Sequence, residues 1–313
     1  MKATAVAHAN IALVKYWGKR DEALILPEAA SLSVALDRLL TTTTVELGAA
    51  EDSLRIDGRH ASAGELRRAR VVLDAAGIRE RARIDSRNDF PTAAGLASSA
   101  SGFAALAVAA CAAAGQKRGA TELSALARLG SGSASRSVPG GWAVWSGETA
   151  EQVAPPEHLP LRLVVALCGE ARKAVSSRDG MQKSRDTSPY HRAWIEQCAR
   201  DLPEALRLLR SRDLAGLGAL AERNALSMHA DALAADPPLL YWSPATVACL
   251  QLVQRLREGG VGAWATIDAG PHVVVLCAPE HAQAVEAALR STPGVRDALV
   301  CAPAGAARVM GRS

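Results

Sequence analysis

Five short segments carry most of the side chains that could do chemistry. In Pro91-Thr-Ala-Ala-Gly-Leu-Ala-Ser-Ser-Ala-Ser-Gly102, a run of small residues leads straight into an apolar stretch. Such a loop lets a backbone approach a ligand closely. The first turn of a following helix offers unpaired N–H groups and the positive end of its dipole. The hydroxyls of Ser98, Ser99 and Ser101 can bond phosphate oxygens or ligate a magnesium ion. No Gly-Lys-Ser/Thr follows, so this is not a Walker A loop, and the spacing is not that of a dinucleotide-binding GxGxxG. A serine cap on a closely packed helix would use some of the same residues.

Gly130-Ser-Gly-Ser-Ala-Ser-Arg-Ser137 sets alternate hydroxyls beside Arg136, whose guanidinium can grip a carboxylate or phosphate with two bonds; a flexible Gly/Ser connector would read the same way. Ser176-Ser-Arg-Asp-Gly-Met181 repeats the hydroxyl-and-arginine pairing, in what also reads as an ordinary turn before a helix at Ser188. Lys15, Tyr16, Lys19 and Arg20 crowd the end of an apolar strand, as a basic rim would. Asp268-Ala-Gly-Pro-His272 puts one acid in a tight turn, where it could shape the turn or deprotonate a hydroxyl. Several anion cradles around one isolated carboxylate suit phosphoryl transfer from ATP to a hydroxyl on a polyanionic substrate.

The elements that must position these groups alternate at first. Ala3 to Val14, Ser31 to Ala35, Thr41 to Leu47 and Ala82 to Ser86 read as strands, and Leu54 to Ile56 before Asp57-Gly58 as one arm of a hairpin. Gly64 to Ala76 has helical spacing and stops at Gly77; Leu96 to Ala114 reads as a buried helix and Thr121 to Leu129 as another capped by Thr121. After strands at Trp142 to Trp145 and Leu161 to Leu167, helices dominate: Ser188 to Ala199, Pro203 to Arg210, Leu214 to His229 and Ser243 to Arg257. Strands Ala263 to Ile267 and His272 to Cys277, a helix from Glu280 to Arg290 and a strand from Ala298 to Ala302 complete the chain. Strands first and helices later make an α+β chain of two subdomains, drawn as 1–175 and 176–313.

Composition narrows the function classes. The 313 residues include 36 basic and 32 acidic side chains, a net charge of +4 that is too small for a general nucleic-acid binder. Aromatics at 4% argue against stacking platforms for single strands. Six widely spread cysteines without a CxxC read as buried reduced thiols rather than zinc ligands or a disulfide framework. Phe90 to Gln116 is uncharged, but Ala, Ser and Gly make it a poor membrane span. The expectation is a soluble, cytoplasmic protein without nucleic-acid or membrane partners.

The Pro91 to Gly102 loop resembles the phosphate loop of the GHMP kinase superfamily, and the chain is most similar to the diphosphomevalonate decarboxylases within it. The matching stretches are Asn10 to Asp21, Leu26-Pro27 with Ser31-Leu-Ser33, Asn88 to Ser99, Ser131 to Ser137, Val175 to Met181 and Thr266 to Pro271, in family order over most of the chain. The resemblance implies a two-domain GHMP kinase fold: an N-terminal domain like ribosomal protein S5 domain 2 and a ferredoxin-like C-terminal domain, with the active site between them. It implies phosphorylation of the 3-hydroxyl of mevalonate 5-diphosphate by ATP and Mg²⁺, then loss of that phosphate with CO₂, in a homodimer. By motif, Asp268 would orient or deprotonate the hydroxyl, Arg136 would hold the carboxylate, and Lys15 would lie near the transferring phosphate or the hydroxyl. Tyr16, Lys19, Ser133, Ser135, Ser177 and Arg178 would line the substrate. Gly95, Ala97, Ser98, Ser99 and Ser101 would serve ATP, with Ser98 the candidate metal ligand. Ser135 stands where many relatives have Cys, and His272 where Asn is common. Phosphomevalonate decarboxylases and mevalonate 3-kinases share the pattern, and an inactive binding protein on the same fold is the alternative from another class.

Overall fold

A computed structural model describes residues 1–90, 98–169 and 175–312. The chain opens with strand β1 (Lys2–Val14), followed by the short β2 (Lys19–Asp21) and β3 (Leu26–Pro27), which pair with each other, and by the long β4 (Ser31–Leu47). The two strands expected at 31–35 and 41–47 are one element. β4 pairs antiparallel with β1, but His8 faces Leu40 and Asn10 faces Ala35, so Leu36 to Leu39 stand opposite Ala9 alone. This wide bulge bends the strand while keeping Leu36 and Leu39 in the core.

The hairpin of β5 (Ser53–Ile56) and β6 (Arg59–His60) turns on Asp57 and Gly58, both at positive φ. Helix α1 (Ala63–Ala75) starts at a capping box in which Glu65 N–H donates to the Ser62 hydroxyl at 3.3 Å and Ser62 N–H to Glu65 at 2.7 Å. Strand β7 (Ala82–Asn88) then pairs with β4. Helix α2 (Ser98–Ala113) is buried on nearly every side, and its alanines let it lie close on β1 and β4. Helix α3 (Ala120–Gly130) crosses it closely: a Cβ on Gly130 would fall 2.0 Å from the Phe103 ring. The cap of α3 is Gly119, not Thr121, because Glu122 reaches back to the Gly119 N–H at 3.0 Å.

The short α4 (Ala134–Ser137) leads into the hairpin of β8 (Trp142–Ser146) and β9 (Thr149–Ala154). Strand β10 (Arg162–Leu167) begins a second sheet, and α5 (Ser177–Thr187), α6 (His191–Arg210), α7 (Leu214–Leu233) and α8 (Pro244–Glu258) follow. Pro203 lies inside α6 rather than between two helices; it is exposed, where water can take the carbonyl that loses its N–H partner. Strands β11 (Ala263–Thr266) and β12 (Val273–Cys277), helix α9 (Ala282–Arg290), β13 (Asp297–Cys301) and β14 (Arg308–Arg312) complete the fold.

The first sheet runs β14-β1-β4-β7-β5-β6, with β8 and β9 branching from β4; the second runs β11-β12-β10-β13. The chain enters the second sheet at β10, ahead of residue 175, and returns to the first with β14, so the two sheets do not divide the sequence at a single point. One apolar core packs α1, α2 and α3 on the first sheet and another packs α8 and α9 on the second. The largest lies between, where β1, β4 and β10 meet α6 and α7. All six cysteines are free and buried, as their apolar settings suggest. No helix among the described residues is long and apolar enough to cross a membrane.

Candidate active site

Residues 15 to 18, between β1 and β2, form no regular element, and packing holds them in place. The Lys15 N–H donates to Asn224 Oδ1 at 2.8 Å, Trp194 Nε1 to the Trp17 carbonyl at 2.9 Å, and Arg185 to the Lys19 carbonyl at 2.7 Å. Gly18 sits at φ +133°, and a Cβ there would meet the Glu28 carboxylate at 3.0 Å and the His191 ring at 3.3 Å. Glu28 and His191 are themselves joined at 3.1 Å, and His191 Nδ1 reaches Asp231 at 2.9 Å.

This tether aims the buried Lys15 ammonium at Asp268, Nζ to Oδ1 2.6 Å, with the side chains 1% and 37% exposed. Burial pushes Lys15 below the ordinary lysine range; the Asp268 carboxylate opposes that shift and the charge of Arg136 adds to it. Asp268 occupies the turn between β11 and β12, closed by Gly270 N–H on the Asp268 carbonyl at 2.7 Å and by the Thr246 hydroxyl on the Pro271 carbonyl at 2.6 Å. Behind the turn, His272 Nδ1 accepts the Cys168 N–H at 2.9 Å, so this histidine anchors the strand ends rather than facing the cleft.

Arg136 on α4 is fully enclosed. It donates to the Ser31 hydroxyl at 2.5 Å and to Asn10 Oδ1 at 3.4 Å, and its guanidinium carbon lies 5.7 Å from the centroid of the Trp145 ring. Burial pulls it down to about 10, with the Asp268 carboxylate opposing. The amide of Asn10 also bonds the Ser133 carbonyl at 3.0 Å and the Ser137 hydroxyl at 2.8 Å, tying β1 to the serine-rich turn. Tyr16 packs edge-on to Trp145 at 4.6 Å, and a Cβ on Gly132 would strike both rings. Burial raises the Tyr16 phenol, so it stays protonated, and among the described residues its hydroxyl has no partner. Lys19, 2% exposed, is paired with Glu22 at 2.5 Å.

The expected turn at Ser176 is instead the start of α5. The Ser176 hydroxyl accepts the Asp179 N–H at 3.2 Å, and Ser177 and Arg178 occupy the first turn. All these elements close on a cleft of about 480 Å³ lined by Lys15, Tyr16, Lys19, Ser98, Ser99, Ser133, Arg136, Ser177, Arg178 and Asp268. Two expected residues stay outside it. Ser101 is fully buried with its hydroxyl 2.6 Å from that of Thr41, and the Ser135 hydroxyl donates to the Gly132 carbonyl at 2.8 Å. Gly95 and Ala97 lie outside the described residues. Asn10, Arg68, Ser131, Ser176, Met181 and Met228 line the cleft without having been singled out, although the matched stretches contain all but Arg68 and Met228.

A second cavity of about 590 Å³ adjoins the first. Leu54, Ile56, Ile84, Phe103 and Leu106 form apolar walls beside Asp57, Arg59, Glu65 and Asn88, and Arg68, Ser98 and Ser99 line both cavities. Among the described residues no three His, Cys, Asp or Glu side chains gather to hold a metal. Such a donor set would suit a magnesium ion held mainly by phosphate oxygens and water, and the Ser98 hydroxyl expected to ligate it lines the cleft.

One mixed and one antiparallel sheet that enclose a cleft of cationic side chains, with a small-residue helix N-terminus at its rim, define a two-domain α+β protein of the GHMP kinase type. Residues 7–154 match the diphosphomevalonate decarboxylase-like N-terminal domain, and residues 163–303 the mevalonate 5-diphosphate decarboxylase C-terminal domain. The chain belongs to the diphosphomevalonate decarboxylase family. It is 37% identical to the diphosphomevalonate decarboxylase of Bos taurus over 92% of this chain and 79% of that one. The crystal structure of mevalonate diphosphate decarboxylase from Staphylococcus aureus superposes with a TM-score of 0.93 at 36% identity, covering 99% of this chain and 98% of that one. The structure of MDDEF in complex with MVAPP, AMPPCP and magnesium matches at 0.93 and 36%, covering 100% and 99%.

Proposed function

We propose that this chain catalyses the ATP- and Mg²⁺-dependent decarboxylation of mevalonate 5-diphosphate to isopentenyl diphosphate, by phosphorylating the 3-hydroxyl and expelling that phosphate with CO₂. The observation that carries this reading is the Lys15–Asp268 pair at the floor of a cationic cleft in a chain of this family. A tertiary hydroxide is a poor leaving group and phosphate a good one. Once phosphate departs, C3 gains carbocation character, and the electron pair of the carboxylate C–C bond fills it.

The residues divide this work by position. Asp268, the partly exposed member of the pair, faces the cleft, where it orients the 3-hydroxyl and takes its proton as the phosphoryl group arrives. Lys15 holds Asp268 in place until then. Arg136 grips the substrate carboxylate; its bonds to Ser31 and Asn10 fix the fork, so the leaving CO₂ stays aligned with the empty orbital at C3. Tyr16, Lys19, Ser133, Ser177 and Arg178 receive the diphosphate at the other end of the cleft. The nucleoside of ATP enters the adjoining apolar cavity, which brings its phosphates to Ser98 and Ser99. Bound Mg²⁺ supplies charge neutralisation on the ATP phosphates.

The test is a parallel assay with mevalonate, its 5-phosphate and its 5-diphosphate. The diphosphate should give by far the highest kcat/KM. Preference for the monophosphate would overturn the assignment of Lys19 and Arg178 to a second phosphate.

A further inference from the structure

Arg68, in the middle of α1, has no motif around it and no ion pair among the described residues. The acid that offsets its charge is Glu65, but that carboxylate is already spent on Arg59, at 2.7 and 3.0 Å, and on the Ser62 N–H at 2.7 Å. The Arg68 guanidinium instead packs 5.3 Å from the centroid of the Phe103 ring, which fixes its direction. Burial and the facing charge of Arg178 both pull it below the ordinary arginine range. Two cations that line one cleft, neither with an ion pair among the described residues, mark a place prepared for an anion.

That place is the junction of the two cavities. Arg68 lines the cleft that contains Asp268 and also the adjoining cavity, and among the described residues it shares both walls with Ser98 and Ser99 alone. Any group handed from a nucleotide in one cavity to a hydroxyl in the other must pass there. We infer that Arg68 is a catalytic residue that binds the γ-phosphoryl group of ATP and stays bound to it during transfer to the substrate hydroxyl.

The inference rests on the proposed reaction. In that step the bond from the γ-phosphorus to the β-bridging oxygen breaks, and its electron pair leaves with ADP. A new bond forms from the same phosphorus to the 3-hydroxyl oxygen, whose proton passes to Asp268. Negative charge spreads over the three non-bridging oxygens during the transfer, and a fixed guanidinium with a forked set of donors follows them without reorganising.

The test uses Arg68→Met, which keeps the apolar stem on Phe103, and Arg68→Lys. The first readout needs no turnover: Kd for ADP and for the β,γ-methylene analogue of ATP, each with Mg²⁺, in wild type and variants. Wild type should bind the analogue more tightly than ADP, and Arg68→Met should lose at least tenfold for the analogue while its ADP affinity stays within about twofold. The second readout is kinetic: kcat should fall about 10²-fold in Arg68→Met, with KM for the diphosphate substrate little changed and Arg68→Lys intermediate. Equal losses for ADP and analogue, or a defect confined to KM for the diphosphate, would overturn the inference by moving Arg68 onto the nucleoside or the substrate. Because the binding ratio stands without catalysis, it separates failure of Arg68 from failure of the proposed reaction.

Discussion

Lys15 and Asp268 lie 253 positions apart in the chain, yet their side chains meet at 2.6 Å, with the cation sealed in the core and the anion half open to the cleft. A buried ammonium is stable only if paired, and its partner here is a group that also lines the cleft. The pair thus joins the end of β1 to the turn after β11, the two places where the sheets come together over the cleft.

Replacing Asp268 by Ala should abolish turnover while leaving equilibrium binding of mevalonate 5-diphosphate within about tenfold, because the diphosphate is held elsewhere. Turnover and calorimetric binding on the same preparation decide it. Near-normal turnover would remove Asp268 from the reaction.

Arg136 donates to Asn10 through Nε and to Ser31 through Nη1, and the proposed reaction gives Nη2 to the substrate carboxylate. Lysine cannot do both. Arg136→Lys should lower kcat by about 10²-fold or more; a change in KM alone would make this a residue of general binding.

Asn224 reads both ways along one path: its Oδ1 accepts the Lys15 N–H at 2.8 Å and its Nδ2 donates to Asp201 at 2.8 Å. Asn224→Asp sets two carboxylates face to face and should lower kcat at least tenfold, a loss of about 1.4 kcal/mol. The exchanged pair Asn224→Asp with Asp201→Asn restores a donor between them and should recover most of the rate. As a control, Leu220→Ala on the same helix should lower Tm without a comparable loss of kcat. A double variant no better than the single would contradict this path.

His191 sits between two carboxylates. Burial alone would favour its neutral form, but Asp231 and Glu28 overcome that and raise it above the ordinary imidazole value. A raised folded value means that the stabilisation is complete below the unfolded pKa of about 6.5 and is lost as pH rises through the folded one. Tm should therefore fall with rising pH above about 6.5 more steeply in wild type than in His191→Gln. Identical profiles would contradict a protonated His191.

Much of the site was legible because its chemistry is local. Lys15, Tyr16 and Lys19 share one segment and Ser133 and Arg136 another, and a tight turn announces Asp268. What escaped depends on packing. Arg67, Arg68 and Arg70 are alike in type, and the ring of Phe103, 5.3 Å from the Arg68 guanidinium, is a contact no spacing announces. The polar stretch from Ser177 reads as a turn, yet Gly180 lets α5 lie against Trp17 and Tyr241: a Cβ there would fall 2.2 Å from the Tyr241 hydroxyl. Ser101 and Ser135 have the residue type of a phosphate ligand, and the register of α2 and the fold of the 131–137 turn direct both hydroxyls inward.

The most direct test of the whole account follows ADP and CO₂ separately when purified protein meets mevalonate 5-diphosphate, ATP and Mg²⁺. The account predicts one CO₂ for each ADP, with isopentenyl diphosphate as the organic product. ADP without CO₂ would contradict it, since Asp268 would then serve a kinase whose Arg136 does not commit the carboxylate to leave.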